Sequence, residues 1–367
     1  MRTVLILSAL LGEAMAQEPA ITMPEETAPG PGSGRRIPIG SYGEAFYLQN
    51  SEGTEEAQLR RLVLFLGHQF DERFRVYSEI EIEHGNEVEM EQAFVEYRHC
   101  PCLGARAGLV LVPVGILNVL HESPTFHGNE RPQLDQVLVP TTWRELGAGL
   151  FGELPYGIKY EAYLLRGLDA SPDPDEGRLG FTDDRPIRGG RLGGNEGSAE
   201  SAAGVFHLGW SPLGIVDLGA SLYYGDASQG EPAIDSVRVT MVEGDARFRR
   251  SGFEARAQFA HLAITNVDDI ARARADPENP GPRVSSHNGL YVEAGYDVLH
   301  MMRSRHEVIP FFRFERLDVG FPDPTIVLQG GVTYRPHPQV AVKGDVARID
   351  SGAVAETRLA LGLGYMF

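Results

Sequence analysis

Most of the chain alternates apolar residues with polar or small ones at every second position, in segments of about ten residues. In FRVYSEIEIEH, Val76 and Ile80 would point to one face of a strand, while Glu79 and Glu81 would point to the other. Turn-forming residues separate the segments. The pattern therefore predicts an all-β fold whose strands each have an apolar and a polar face.

The number of strands and the lengths of their connections indicate a barrel. Sixteen segments begin near residues 39, 58, 73, 87, 103, 144, 157, 200, 214, 237, 252, 287, 305, 324, 338 and 354. The segments at 58 and 87 alternate ambiguously, so fourteen or eighteen strands stay open. Every second connection is short, and the others include the long stretches 113–143, 168–199, 225–236 and 265–286. This parity predicts a transmembrane antiparallel up-and-down β-barrel of about sixteen strands.

The N-terminus has the features of an export signal. Residues 1–16, MRTVLILSALLGEAMA, place a basic residue before an apolar run and small residues before Gln17. Residues 17–36 are rich in proline, glycine and acid, which predicts a flexible periplasmic leader, and residues 37–367 would form the barrel. No later stretch has the roughly 20 apolar residues of a transmembrane helix. We expect a protein exported to the bacterial outer membrane.

The chain ends in a bare alternation, RLALGLGYMF, where most chain ends are polar. In a closed barrel the last strand must pair with the first, and its apolar side faces lipid. The alternating residues also resemble the C-terminal signal that the barrel-assembly machinery of Gram-negative bacteria recognises. These residues are Leu359, Leu361, Leu363, Tyr365 and Phe367.

A sixteen-stranded ring is too wide for its own side chains to fill, so the sequence predicts a water-filled interior that a loop narrows. The connection 113–143, here called the third loop, mixes apolar and charged residues, and we expect it to fold into the lumen. The predicted constriction and lumen residues are His121, Glu122, His127, Glu130, Arg131, Arg144, Glu145, Arg256, Arg313, Glu315, Lys343 and Asp345. Acid and base stand two positions apart on single strands, and we expect these neighbours to pair: Glu254 with Arg256, Asp245 with Arg247, Arg313 with Glu315, and Lys343 with Asp345.

Charge and composition exclude several other classes of protein. The net charge of -18 argues against nucleic acid as a partner, because phosphates require a basic surface. Cys100 and Cys102 could form a local disulfide or stay as free thiols. No cofactor is expected. Two histidines and two glutamates of the third loop, at 121, 122, 127 and 130, are a conceivable metal set, but we favour hydrogen bonds to the wall and predict no metal site.

The third loop and the strand after it carry a resemblance to a known family. The stretch PVGILN..HESPTFHGNERP...VLVPTTWRELGAGLFGEL, followed by GLDAS, resembles the phosphate-selective porin O and P family and its porin-like relatives. The resemblance implies a sixteen-stranded, often trimeric porin with the third loop in the lumen. Phosphate-selective members line the pore with lysines, whereas this chain has only Lys159 and Lys343. We therefore expect weak selectivity or a preference for cations.

The function that the sequence favours is passive diffusion of small hydrophilic solutes or ions, without catalysis. No Gly-x-Ser-x-Gly motif occurs, and the cluster from His121 to Ser123 has no fixed nucleophile geometry. Two alternatives stay open: a specific uptake channel for anions, phosphate or sugar, and a closed barrel that acts as a surface receptor or adhesin. The expected partners are outer-membrane lipid and lipopolysaccharide, the assembly machinery, and further copies in a homotrimer.

Overall fold

Alternating side chains allow sixteen strands to present one face inward and the other outward. A computed structural model describes residues 39–173, 178–274, 281–320, 323–352 and 354–367. Its strands are β1 (Ile39–Asn50), β2 (Glu55–Gln69), β3 (Phe74–Glu83), β4 (Glu87–Cys100), β5 (Leu103–Leu111), β6 (Arg144–Leu154), β7 (Ile158–Arg166), β8 (Ala202–Trp210), β9 (Val216–Asp226), β10 (Arg238–Arg250), β11 (Phe253–Ile264), β12 (Ser286–Tyr296), β13 (Glu307–Asp318), β14 (Thr325–His337), β15 (Val340–Asp350) and β16 (Ala355–Met366). Each begins within three residues of its predicted position.

The strands pair with their sequence neighbours in antiparallel fashion, and β1 pairs with β16 to close the ring. Ser41 and Phe367 complete this seam, because each backbone N–H donates to the other's carbonyl oxygen at 3.0 and 2.9 Å. The predicted fold class, a closed antiparallel barrel of sixteen strands, is confirmed. On β16, Leu359, Leu361 and Leu363 point outward and are 39, 54 and 49% exposed.

The two ends of the barrel differ in the lengths of their connections. At the short-turn end the connections are 70–73, 101–102, 155–157, 211–215, 251–252, 297–306 and 338–339. At the long-loop end they are 51–54, 84–86, 112–143, 167–201, 227–237, 265–285, 319–324 and 351–354. The third loop is thus the connection 112–143, and we call 167–201 the fourth loop. At the short-turn end Cys100 and Cys102 form a disulfide.

Helical structure in the described ranges is confined to the connections. It consists of α1 (Ile116–Val119), α2 (Val267–Arg274), a π-helical turn (Leu134–Leu138) and 3₁₀ turns at Ser123–Thr125, Pro155–Gly157 and His300–Met302. None of these helices is long and apolar enough to cross a membrane. The predicted signal peptide (1–16) and leader (17–36) lie outside the described residues.

The barrel interior is filled to a degree that the sequence did not predict. Apolar residues of the third and fourth loops, such as Leu138 and Phe181, pack with inward residues of the wall in one large hydrophobic cluster. Every strand also contributes an inward side chain that is at most 6% exposed. One from each, in order, is Glu44, Arg61, Glu79, Glu91, Val110, Glu145, Tyr163, Val205, Tyr223, Glu243, Gln258, Glu293, Arg313, Gln329, Asp345 and Ala360.

This packing reduces the space inside the ring, which the sequence predicts to be water-filled and narrowed by a loop. The wall is not polar throughout: Val205, Tyr223 and Met241 point inward and offer the loops an apolar surface to cover. Towards the short-turn end the interior is wetter, since the side chains of Arg247 and Asp217 are 26 and 43% exposed. Loop residues therefore pack inside the middle of the barrel, while side chains near the short-turn end are accessible to solvent.

Candidate pore interior

The third loop starts between β5 and β6 but is held by strands on the opposite side of the ring. Cationic side chains of the wall donate hydrogen bonds to carbonyl oxygens of its backbone. Nη2 of Arg256 on β11 reaches the carbonyl of Thr125 at 3.0 Å. Nζ of Lys343 on β15 reaches the carbonyls of Ser123 and Gly128 at 2.5 and 2.9 Å. These two predicted pore residues therefore fasten the loop instead of facing free solute.

Arg313 on β13 is the most heavily bonded of these cations. Its Nη2 donates to the carbonyl of His127 at 2.7 Å, and its Nη1 donates to the carbonyl of Glu130 at 3.1 Å. Nη1 also reaches Oε1 of Gln329 at 2.8 Å, and Nε reaches Oε2 of Glu293 at 2.7 Å. Its side chain is 1% exposed, so these contacts replace its hydration almost completely.

The ion pairs run between neighbouring strands more than along one strand. Glu293 on β12 lies 3.0 Å from Nε of Arg256 and 2.5 Å from Nη2 of Arg313, so one carboxylate serves two cations. The predicted pairing of Arg313 with Glu315 is the longer contact, at 3.9 Å. Cross-strand pairing follows because inward residues on adjacent strands lie closer than residues two apart on one strand.

Two predicted acids also hold the third loop. Oδ2 of Asp345 accepts from the backbone N–H and the side-chain amide of Asn129 at 2.8 and 2.6 Å. Its Oδ1 accepts from Gln329 at 2.7 Å. Oε2 of Glu315 accepts from the backbone N–H of Leu134 at 3.3 Å. Both carboxylates are therefore engaged by loop donors.

Where the third loop passes β16, glycine makes room for it. A Cβ at Gly362 would lie 2.0 Å from Oδ1 of Asn129, and one at Gly364 would lie 2.4 Å from Oγ of Ser123. Real Cβ atoms do not come this close to other atoms, so a side chain at either position would have to displace Asn129 or Ser123 of the loop.

His127 binds the same wall through its ring. The imidazole stacks on Phe311 with 5.3 Å between the ring centroids. Its Nδ1 lies 3.2 Å from the hydroxyl of Thr333, and its Nε2 lies 3.2 Å from Oε2 of Glu254. Burial lowers the pKa of this imidazole. The ring is thus a packed anchor of the loop.

The other side of the third loop faces β2 to β4. Nε2 of His121 lies 3.3 Å from Oε1 of Glu91, while Nη2 of Arg131 donates to the carbonyl of His121 at 3.2 Å. Glu130 forms an ion pair with Arg60. A cavity of about 20 Å³, room for about one water, remains beside Glu130 and Arg131. Burial lowers the pKa of Arg131, with a further contribution from Arg61.

The four residues of the conceivable metal set do not come together. His127 and Glu130 bind different parts of the wall from His121, as described above. Glu122 is buried, and its Oε2 accepts no hydrogen bond from the described residues. Burial raises the pKa of this carboxyl group.

Arg144 and Glu145 stand apart from the other predicted residues. Arg144 forms an ion pair with Glu89 on β4 and donates to the carbonyl of Thr142 at 3.3 Å. Oε1 of Glu145 accepts from the backbone N–H of Leu192 at 3.2 Å and so holds the fourth loop. The predicted residues therefore fall into three groups. One group, including Arg313 and Lys343, forms the seat of the third loop on β11–β16. A second, including His121, lies on the side that faces β2–β4, and Glu145 contacts the fourth loop.

Comparison of the sequence with known proteins finds a relative and no family. No family model matches the chain. An uncharacterised protein of Aquifex aeolicus (strain VF5) is 29% identical over 364 residues, which are 90% of this chain and 82% of that protein.

Solved structures with the same architecture are outer-membrane proteins. OmpF of Salmonella typhi, in complex with daunomycin, matches with a TM-score of 0.63 at 11% identity and covers 91% of this chain and 98% of its own. The fold is that of a porin. An anion-selective porin from Comamonas acidovorans matches at 0.58 and 10% identity, over 91% of this chain and 100% of its own. The trimer form of OmpT from Vibrio cholerae matches with a TM-score of 0.59 at 8% identity, and the match covers 90% of this chain and 99% of that chain.

Proposed function

We propose that this protein is an outer-membrane porin through which small hydrophilic solutes or ions diffuse passively, with the third loop as its constriction. The observation that carries the proposal is the position of this loop, across the interior of a closed sixteen-stranded barrel. Its seat on β11–β16 consists largely of hydrogen bonds and ion pairs, such as those of Arg313 and Lys343. Release of the loop would exchange these bonds for hydrogen bonds to water, so a polar seat is compatible with opening.

The electrostatics favour a weakly selective or cation-preferring pore. Arg256, Arg313 and Lys343 already bind loop carbonyls, which leaves them little capacity to draw an anion through. The chain carries 51 acidic against 33 basic residues. Membership of the phosphate-selective porin O and P family stays a hypothesis, and the anion-uptake alternative is the weaker one on these grounds.

A second candidate function follows from the closed interior. Each of the sixteen strands has at least one inward side chain that is nearly inaccessible to solvent, and a hydrophobic cluster joins the loops to the wall. A barrel that stays closed would use its long loops as a surface receptor or adhesin. The two functions differ in one property, because only the porin conducts ions when the loop moves.

Planar-bilayer recording of the purified protein tests the proposal. Discrete current steps are expected, with a reversal potential in a potassium chloride gradient that shows weak selectivity or cation preference. A silent bilayer, from protein that migrates as a folded barrel on unheated gels, would contradict the porin and favour the receptor. Strong anion selectivity would contradict the electrostatic argument and restore the phosphate-channel alternative.

The proposal includes the cellular setting that the sequence predicts. Export would use residues 1–16, the assembly machinery would recognise the last strand, and lipid and lipopolysaccharide would surround the outward leucines. A homotrimer is part of the proposal. Cross-linking of intact cells, followed by gels with and without heating, tests both the membrane location and the trimer.

A further inference from the structure

We propose that Glu79, Glu91 and His121 form a buried binding site for a divalent transition-metal ion, which ties the third loop to the β3–β4 wall. Nε2 of His121 lies 3.3 Å from Oε1 of Glu91 and 3.9 Å from Oε1 of Glu79. One ligand atom from each of the three residues lies within 4.8 Å of the others. The three side chains are at most 3% exposed.

The histidine presents a lone pair to the two carboxylates. Its Nδ1 lies 3.2 Å from the carbonyl oxygen of Asn118, which can only accept a hydrogen bond. Nδ1 must therefore carry the proton, and in the neutral imidazole Nε2 is the unprotonated nitrogen. Nε2 and Oε1 of Glu91 make no hydrogen bond with any described residue. In that tautomer Nε2 and the Glu91 carboxylate present electron pairs to each other, and a metal ion between them would relieve the repulsion.

Charge points the same way. Arg61 is a buried cation of this region, but its Nε lies 3.0 Å from Glu44 and its Nη1 lies 3.2 Å from Glu81. These two acids already exceed the single charge of Arg61, so Arg61 offers no surplus charge to Glu79 and Glu91. A bound cation would compensate these buried carboxylates, whose burial without compensation would be costly.

Each of the three ligands is oriented by a second group, as in established metal sites. The hydroxyl of Tyr42 donates to Oε2 of Glu91 at 3.3 Å, and the amide of Gln92 donates to Oε2 of Glu79 at 2.5 Å. The Asn118 carbonyl fixes the imidazole. One nitrogen and two carboxylate ligands suit Zn²⁺ and similar first-row ions, whereas Ca²⁺ requires six to eight oxygens.

The test is metal binding by the full chain, refolded into detergent in the presence of Zn²⁺ because the site is buried. Mass spectrometry should find about one zinc per chain in the wild type after free metal is removed. Glu91→Gln and His121→Gln should bind zinc at least about a hundredfold more weakly. Tyr42→Phe, which keeps the ligands and removes only an orienting bond, should weaken binding by about ten- to a hundredfold.

His84→Gln is the matched control. Glu83, His84 and Glu87 form the other carboxylate–imidazole cluster among the described residues, and it lies at an exposed turn where zinc could bind adventitiously. This variant should retain the zinc. Loss of zinc from His84→Gln, with retention in Glu91→Gln and His121→Gln, would overturn the proposal. So would a wild type that refolds without binding zinc, since protons would then join the three side chains.

The wild type alone decides the matter if the ligand variants fail to fold. Co²⁺ in place of Zn²⁺ should give the intense visible absorption of a low-coordinate nitrogen–oxygen site, together with a higher thermal unfolding temperature. A spectrum identical to that of aqueous Co²⁺, with an unchanged unfolding temperature, would overturn the proposal.

Discussion

Replacing Arg313 by methionine should loosen the third loop from the barrel wall. The substitution keeps an unbranched side chain of similar length and removes every donor. Four hydrogen bonds are lost, to the carbonyls of His127 and Glu130 and to the side chains of Gln329 and Glu293. Glu293 would keep Arg256 as its other cationic neighbour, at 3.0 Å.

The size of the effect follows from the bonds between Arg313 and the loop. Two of the four bonds reach loop carbonyls, whereas those to Glu293 and Gln329 join strands of the wall and are present whether or not the loop is seated. A hydrogen bond from a charged donor contributes about 1.5 to 3 kcal/mol, and about 1.4 kcal/mol changes an equilibrium tenfold. Loss of both loop bonds should therefore shift the equilibrium between seated and released loop by about a hundredfold or more. Lys343 and Asp345 would still hold the loop, so the barrel should remain folded.

Two assays measure this shift. Amide hydrogen exchange of residues 123–134 should accelerate by that factor, and the open probability in planar bilayers should rise. Arg316→Met is the control, because Arg316 lies on the same strand with an exposed side chain. If exchange and open probability in Arg313→Met match those of Arg316→Met, Arg313 does not hold the loop, and the account of the seat is wrong.

Four further predictions concern selectivity, pH, assembly and catalysis. Arg131→Glu and Glu130→Ala should each shift the reversal potential in a salt gradient; unchanged values would place the constriction elsewhere. Burial, with help from Glu315, raises the pKa of Asp135 to about 8, so the stability it contributes is complete below about pH 4 and lost as the pH rises through 8. Amide hydrogen exchange of the third loop, corrected for its intrinsic pH dependence, should therefore accelerate up to about pH 8 and level off above it. Asp135→Asn should remove this pH dependence. If the dependence is the same in the variant and the wild type, the Asp135 carboxyl does not cause it. Deletion of Phe367 should reduce the yield of heat-modifiable barrel in the outer membrane. An undiminished yield would show that the assembly machinery does not require this residue. The purified protein should release no fatty acid from phospholipid in detergent, whereas sustained turnover would contradict a non-catalytic porin.

The strands could be predicted from the sequence because the signal is local. Alternation along β3 places Glu79 and Glu81 inward in the structure, where both are buried. A barrel of about sixteen strands, with fourteen or eighteen left open, and the differing ends of the barrel follow from segment spacing and connection length. These features depend on residues a few positions apart, which a single chain displays directly.

The content of the interior could not be predicted in the same way. Glu293 joins Arg256 and Arg313, but nothing near any of the three in sequence identifies the others as partners. Alternation at every second residue also cannot show which side chains point into the barrel and which point outward where both faces of a strand are apolar. On β10, Met241 is buried inside while the adjacent Val242 is 47% exposed outside. The seat of the third loop depends on which wall it meets across the barrel, and that is a long-range property.

The glycines of the last strand impose an order on biogenesis. Gly362 and Gly364 receive the third loop on β16, the strand that closes the ring with β1, and Lys343 binds the same loop from β15. The part of the seat that β15 and β16 supply is therefore missing until this hairpin has joined the ring. Before that step, the third loop would be held only by the other strands of its seat, such as β11 and β13. Closure of the ring therefore also completes the attachment of the loop.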